Sequence, residues 1–177
     1  MTPRLETPRL VLRAHRLEDF APMAAMWGDP EVTRFILGPP ASPETTWARL
    51  MRYAGHWQML GFGYWAVECR ETGAFLGDVG LADWHRAFDP PEAFVPEAGW
   101  VLARAAHGRG LATEAMAAVL AWADARPGME RISAIFDPAH ARSLAVARRL
   151  GFGADRMTRY MGNATLRLER ARPVTAP

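Results

Sequence analysis

The sequence predicts an α+β fold, a mixed and mostly antiparallel central sheet of about seven strands with flanking helices. Three observations predict it. Strand-length apolar runs and helical periodicities follow one another in the order β-α-α-β-β-β-α-β-α-β-β, neither strictly alternating nor segregated by type. Two pairs of consecutive strands are joined by short turns, Glu71-Thr72-Gly73 and Gly162-Asn163, as antiparallel hairpins are. No repeat, low-complexity tract or linker interrupts the 177 residues, so residues 1–177 read as a single domain.

The elements follow in order. Residues 9–13, Arg-Leu-Val-Leu-Arg, form a first strand. Residues 17–27 carry apolar side chains at helical spacing with Pro22 near the first turn, and Asp29-Pro30 breaks that helix. Ser42-Pro43-Glu44 supplies an N-cap and a proline at the first helical position, opening a helix that Gly61-Phe62-Gly63 stops. The hairpin of residues 64–70 and 74–84 comes next. Residues 85–96 hold Pro90, Pro91 and Pro96 and read as a surface insertion. A strand at about 97–103 leads into a helix at about 109–125, followed by a strand at 130–136. A helix at 140–150, ended by Gly151, and the hairpin of 152–161 with 164–170 close the chain.

Composition excludes several classes of function. No apolar run approaches the roughly 20 residues that a bilayer-spanning helix needs, and the N-terminus lacks the apolar core of a signal peptide. Cys69 is the single cysteine, which rules out an internal disulfide and fits a cytoplasmic location. All 21 basic residues are arginine and they are interleaved with 19 acids, giving a net charge of only +2 and no basic tail. That pattern argues against nucleic-acid binding. The five histidines (15, 56, 85, 107 and 140) show no metal-ligand spacing, so no metal is expected.

One segment carries chemistry. From Glu97 to Ala115 a short strand runs into Gly108-Arg109-Gly110, which opens at once onto an amphipathic helix. Glycines at such a junction let backbone approach a phosphate, and the helix start points N–H groups and positive dipole at it. Read locally, the segment is equally an ordinary strand–helix turn. Two phosphate folds fit badly. A Walker A loop needs a lysine, and a dinucleotide fingerprint needs a third glycine where Thr113 stands.

His107-Gly108-Arg109-Gly110-Leu111-Ala112, followed by Thr113-Glu114-Ala115, resembles the Gln/Arg-x-x-Gly-x-Gly/Ala signature of the GNAT superfamily of N-acetyltransferases. A second block, His140-Ala141-Arg142-Ser143 with Arg149-Leu150-Gly151-Phe152, resembles that family's Asn-x-x-Ser and Leu-Gly-Phe. The opening Pro8-Arg9-Leu10-Val11-Leu12-Arg13 and the closing Leu166-Arg167-Leu168-Glu169-Arg170 are similar to its ribosomal-protein alanine acetyltransferase branch. The resemblance runs from about Thr7 to Arg170.

It implies a fourth and fifth strand that splay apart and transfer of acetyl from acetyl-CoA, as co-substrate, directly to a primary amine. Trp100, Val101 and Leu102 would offer backbone to the pantetheine arm, with the Leu102 N–H at the oxyanion. Gly108 to Thr113 would hold the pyrophosphate, with Arg109 near it and Arg149 toward the 3′-phosphate. His107 and His140 would donate hydrogen bonds where the family has Gln/Arg and Asn. Glu97 is the expected general base, with Asp83 as fallback. Ala147 stands where many members have a tyrosine acid, which leaves Ser143 to hydrogen-bond the thiolate or to serve only its helix start.

Phe35, Asp83, Trp84 and Tyr160 are expected to line the acceptor site, drawn from segments 33–42, 85–96 and 158–163. Aromatics beside carboxylates suit a cationic amine with an apolar body: a protein N-terminus, a polyamine or an aminoglycoside-like amine. The competing reading of the departures is a catalytically silent acyl-CoA-binding or sensing domain. A homodimer through an exposed sheet edge or the tryptophan-bearing helices is compatible with the chain.

Overall fold

Ser42 starts the longest helix as its residue type requires: its hydroxyl accepts from the Thr45 N–H at 3.1 Å, with Pro43 at the first helical position. The computed structural model describes residues 1–36 and 39–174, so Leu37 and Gly38 of the 33–42 linker lie outside the described residues. The helices are α1 (Phe20–Trp27), α2 (Pro30–Thr33), α3 (Pro43–Leu60), α4 (Leu111–Asp124) and α5 (Ala141–Arg149). The strands are β1 (Leu5–Glu6), β2 (Leu10–Arg13), β3 (Tyr64–Cys69), β4 (Phe75–Ala82) and β5 (Phe88–Asp89). They continue with β6 (Glu97–Leu102), β7 (Arg131–Phe136), β8 (Gly153–Tyr160) and β9 (Asn163–Ala171).

One sheet of nine strands results, in the order β1-β2-β3-β4-β6-β7-β9-β8-β5, against about seven expected. The two additional strands, β1 and β5, have two residues each, too short to show a period in the sequence. β5 lies within the supposed insertion, where Phe88 and Asp89 pair with Tyr160 and Arg159. α2 is likewise new, a single turn whose start Asp29 caps by accepting from the Glu31 N–H. The sheet is antiparallel except at β6 and β7.

Each face of the sheet has its own core, as the alternation along each strand demands. Trp65, Val67, Val79 and Leu81 point to α4 and its Met116, Val119 and Leu120, all buried. On the opposite face Tyr64 and Ala82 meet Met23, Met26 and Trp27 of α1 and Leu50 and Tyr53 of α3. Asp78 is fully buried beneath that second layer. Its two oxygens accept from His15 Nε2 at 2.9 Å and from Trp27 Nε1 at 2.8 Å, which pins α1 and the segment before it to β4.

Removing that carboxylate leaves two buried donors without partners. Asp78→Ala is expected to lower stability by about 3 kcal/mol in chemical denaturation. A loss under about 1 kcal/mol would mean that the layer is held without the pair.

Candidate active site

The Ala103 N–H donates to the Leu76 carbonyl at 2.8 Å, which fixes which backbone groups of β6 face β4. Because an antiparallel ladder alternates, Glu97, Gly99 and Val101 bond to β4 while Ala98, Trp100 and Leu102 face β7. β7 answers only at the start: Glu97 pairs with Ser133, whose N–H donates to the Pro96 carbonyl at 2.9 Å. Beyond that single bridge the parallel strands part, and the N–H and C=O of Trp100 and the N–H of Leu102 face the gap. Val101 must therefore be removed from the expected pantetheine edge, since its backbone is spent on Asp78. The Leu102 carbonyl is taken by His107 Nε2 at 2.8 Å, which fixes the proton of that ring on Nε2. On the α4 side of the gap the rings of Trp100 and Phe136 meet, with centroids 5.6 Å apart.

At the end of β6 the chain turns into α4 through Gly108 and Gly110, at φ 74° and 73°. Both need glycine, because a side chain there would be strained. α4 has no side-chain cap at its start, in contrast to α3, so the amides of Leu111, Ala112 and Thr113 stay open to an anion. Glu114 in the first turn points away from that opening, back to the N-terminal strand. It accepts from the Thr7 hydroxyl at 2.6 Å, the Arg9 N–H at 2.9 Å and Arg9 Nε at 2.6 Å. Burial works to raise its pKa, but these bonds outweigh it and hold the carboxyl below the ordinary range.

Across the gap, after β7, His140 begins α5. Its Nε2 lies 3.2 Å from Ser143 Oγ, and the Phe35 ring stacks on it with centroids 4.6 Å apart. Phe35, expected among the acceptor residues, thus reaches from the α2–α3 linker to the start of α5. Burial lowers the His140 pKa, Asp137 opposes that, and Arg142 and His107 add to it. Arg149 lies six residues beyond Ser143, about 9 Å along α5, exposed and joined to none of these groups.

The remaining expected residues gather on the other face, around Arg86. Its Nε and Nη2 donate to the two oxygens of Glu97 at 2.7 and 2.8 Å, and its guanidinium lies 4.6 Å from the Tyr160 ring and 5.7 Å from that of Trp84. Both Glu97 oxygens are occupied in this conformation. Asp83 is turned to its own loop, accepting from the His85 N–H at 3.0 Å. Trp84 meets His56, Tyr53 and Tyr64 edge-on or tilted, and the Tyr64 hydroxyl takes the space that a Cβ on Gly99 would need, at 1.9 Å. The loop of residues 83–97 and β7 enclose a cavity of about 200 Å³ reaching Phe88, Glu92, Glu97, Ser133 and Arg167.

Sequence reasoning missed Arg9, Arg86 and Tyr64. Glu114 stood in the matched motif without a role, and nothing local pairs it with a residue 105 positions away. Gly99 was the available signal for Tyr64, as an unneeded glycine inside a strand marks a close approach.

A split parallel pair whose free backbone edge leads into an uncapped helix start defines an acyl-CoA-dependent transferase. The chain belongs to the GNAT acetyltransferases: the family profile described as Acetyltransferase (GNAT) domain matches residues 9–153. A GnaT-family acetyltransferase from Bordetella pertussis superposes with a TM-score of 0.82 at 34% identity, covering 96% of this chain and 99% of that one. An acetyltransferase from Agrobacterium tumefaciens str. C58 does so at 0.81 and 27% identity, over 96% and 94% of the two chains. The uncharacterized N-acetyltransferase YoaA of Bacillus subtilis (strain 168) is 29% identical over 91% of this chain and 89% of its own. The protein is an acetyl-CoA-dependent N-acetyltransferase, and nothing in these likenesses supports the catalytically silent alternative.

The lowered pKa of His140 has a definite sign. Below the ordinary imidazole value the unfolded chain takes a proton that the folded chain refuses, so His140 costs stability as pH falls through that window. Its NMR titration midpoint is expected below about 6.5, and His140→Asn should flatten the fall of stability as pH drops below that value. A midpoint at or above the ordinary value would contradict the burial seen here.

Proposed function

We propose that the protein acetylates the terminal amine of a peptide or protein chain, in preference to a polyamine or an aminoglycoside. The observation that carries this is the state of the acceptor-side carboxylates, of which the two most buried, Glu97 and Glu92, are already matched by internal arginines. Glu97 is held by Arg86, Glu92 by Arg167 at 2.7 Å, and Asp83 lies 3.3 Å from His85 Nε2. A polycation gains most where unpaired carboxylates meet its several ammonium groups, and here only Asp83 and the exposed Asp89 are without an arginine partner among the described residues. A single amine with an apolar neighbour suits Trp84, Phe88 and Tyr160.

In this reading the amides from Gly108 to Thr113 hold the pyrophosphate, and Trp100 binds the pantetheine arm through its backbone, which leaves the Leu102 N–H for the thioester carbonyl. The open α4 start, the two glycines and the unpaired edge all fit such a molecule. When bound, it supplies a thioester whose carbonyl carbon the amine attacks. The Leu102 N–H faces the gap and stabilises the oxyanion that forms. Glu97 takes the proton lost by the amine nitrogen, through a water and with one oxygen released by Arg86. The carbon–sulfur bond then breaks, the electron pair leaves on sulfur, and Ser143 donates a hydrogen bond to the thiolate.

Turnover with acetyl-CoA, measured as thiol release, is expected to be at least tenfold more efficient with a mixture of short peptides than with spermidine. Equal or better use of spermidine would sink the peptide assignment. Glu97→Gln should lower kcat by roughly 10²-fold with the dissociation constant for coenzyme A unchanged. An unaltered rate would remove Glu97 from the reaction. Gly110→Trp should abolish coenzyme A binding in calorimetry while costing about 1–2 kcal/mol of stability from the left-handed backbone. Retained affinity would move the pyrophosphate elsewhere.

A further inference from the structure

Arg9 makes three ties to the helix that starts the anion site. Its main-chain N–H and its Nε donate to the two oxygens of Glu114, at 2.9 and 2.6 Å, and its Nη1 donates to the Arg109 carbonyl at 2.9 Å. The last bond matters because of peptide planarity. In a trans peptide the N–H points opposite to the carbonyl, so fixing the Arg109 C=O fixes the Gly110 N–H in the reverse direction. That N–H makes no backbone bond among the described residues, while the Gly110 carbonyl accepts from the Glu114 N–H at 3.1 Å. Both glycines of the turn have no side chain to lock their dihedrals. The guanidinium of Arg9 does so from outside, with Nη2 only 3.8 Å from where a Gly110 Cβ would sit.

Glu114 would otherwise be misplaced. A carboxylate in the first turn of α4 suits the helix dipole but opposes a second anion at the same helix start. Thr7 and Arg9 together occupy both its oxygens and turn it toward β2. We propose that Arg9 is a positioning residue for phosphate binding: it aims the Arg109–Gly110 peptide and draws the Glu114 carboxylate away from the anion. The inference rests on the assignment of the donor pyrophosphate to this turn.

The test compares two acetyl donors, acetyl-CoA and S-acetylpantetheine, which has the thioester arm but neither the pyrophosphate nor the nucleotide. Arg9→Met, in an otherwise intact chain, should weaken coenzyme A binding and raise KM for acetyl-CoA by about tenfold or more. Its kinetics with S-acetylpantetheine should match the unsubstituted protein. Arg9→Lys keeps the charge but cannot hold Glu114 and Arg109 together, and should behave like Arg9→Met. Full recovery of coenzyme A affinity in Arg9→Lys would overturn positioning in favour of plain charge. Equal losses with both donors would overturn it in favour of general damage to the fold, as would unchanged affinity in Arg9→Met in favour of no role. Unsubstituted protein that uses S-acetylpantetheine yet has no affinity for coenzyme A would instead overturn the pyrophosphate assignment, and this inference with it.

Discussion

Between β6 and β7 the sheet keeps a single bridge, Glu97 to Ser133, and the site is built from what that interruption leaves unpaired. A buried strand with unmet N–H and C=O groups is costly, so a folded chain abandons a ladder only where something else satisfies the edge. Part of the answer is internal, since His107 closes the Leu102 carbonyl. The rest, the N–H and C=O of Trp100 and the N–H of Leu102, is the edge to which the proposed function assigns the donor substrate. A fold that stops its own ladder halfway, immediately before a helix with open amides, has made a strand-shaped place and a phosphate-shaped place end to end.

The two faces of the interruption carry different electrostatics. Toward α4 and α5 lie open amides and exposed arginines, Arg109 and Arg149 among them. Toward α1 and α3 the charges are buried and matched, with Arg86 on Glu97 and Arg167 on Glu92. Burial works against the charge of Arg86, yet the Glu97 bonds outweigh it and keep the guanidinium protonated. Matched pairs of this kind contribute little net stability compared with an apolar core. They do set what can approach.

Much of the architecture was legible from period and punctuation. Gly108 and Gly110 stood out because a strand–turn–helix junction gives glycine a reason to be there, and the backbone angles bear that reason out. Ser42-Pro43 marked the start of α3 for equally local reasons. What stayed hidden is long-range. The resemblance offered Trp100, Val101 and Leu102 alike, and which parity of β6 faces the gap depends on the register with β4, which no local pattern in the strand carries. Arg86 reaches Glu97 across 11 positions of sequence that include the short β5, and Arg9 reaches Glu114 across 105. Charge spacing carries no information about such closures.

The ends of the sheet have a consequence for how copies of this chain can meet. Both outermost strands, β1 and β5, are two residues long. β1 and β5 themselves offer an incoming strand only a few main-chain groups, although β8 continues past β5 from Thr158 back to Gly153. At the β1 end such a blunted margin starves strand-by-strand growth of the nine-stranded sheet at its first step, whereas the longer β8 edge is where a second strand could find a ladder.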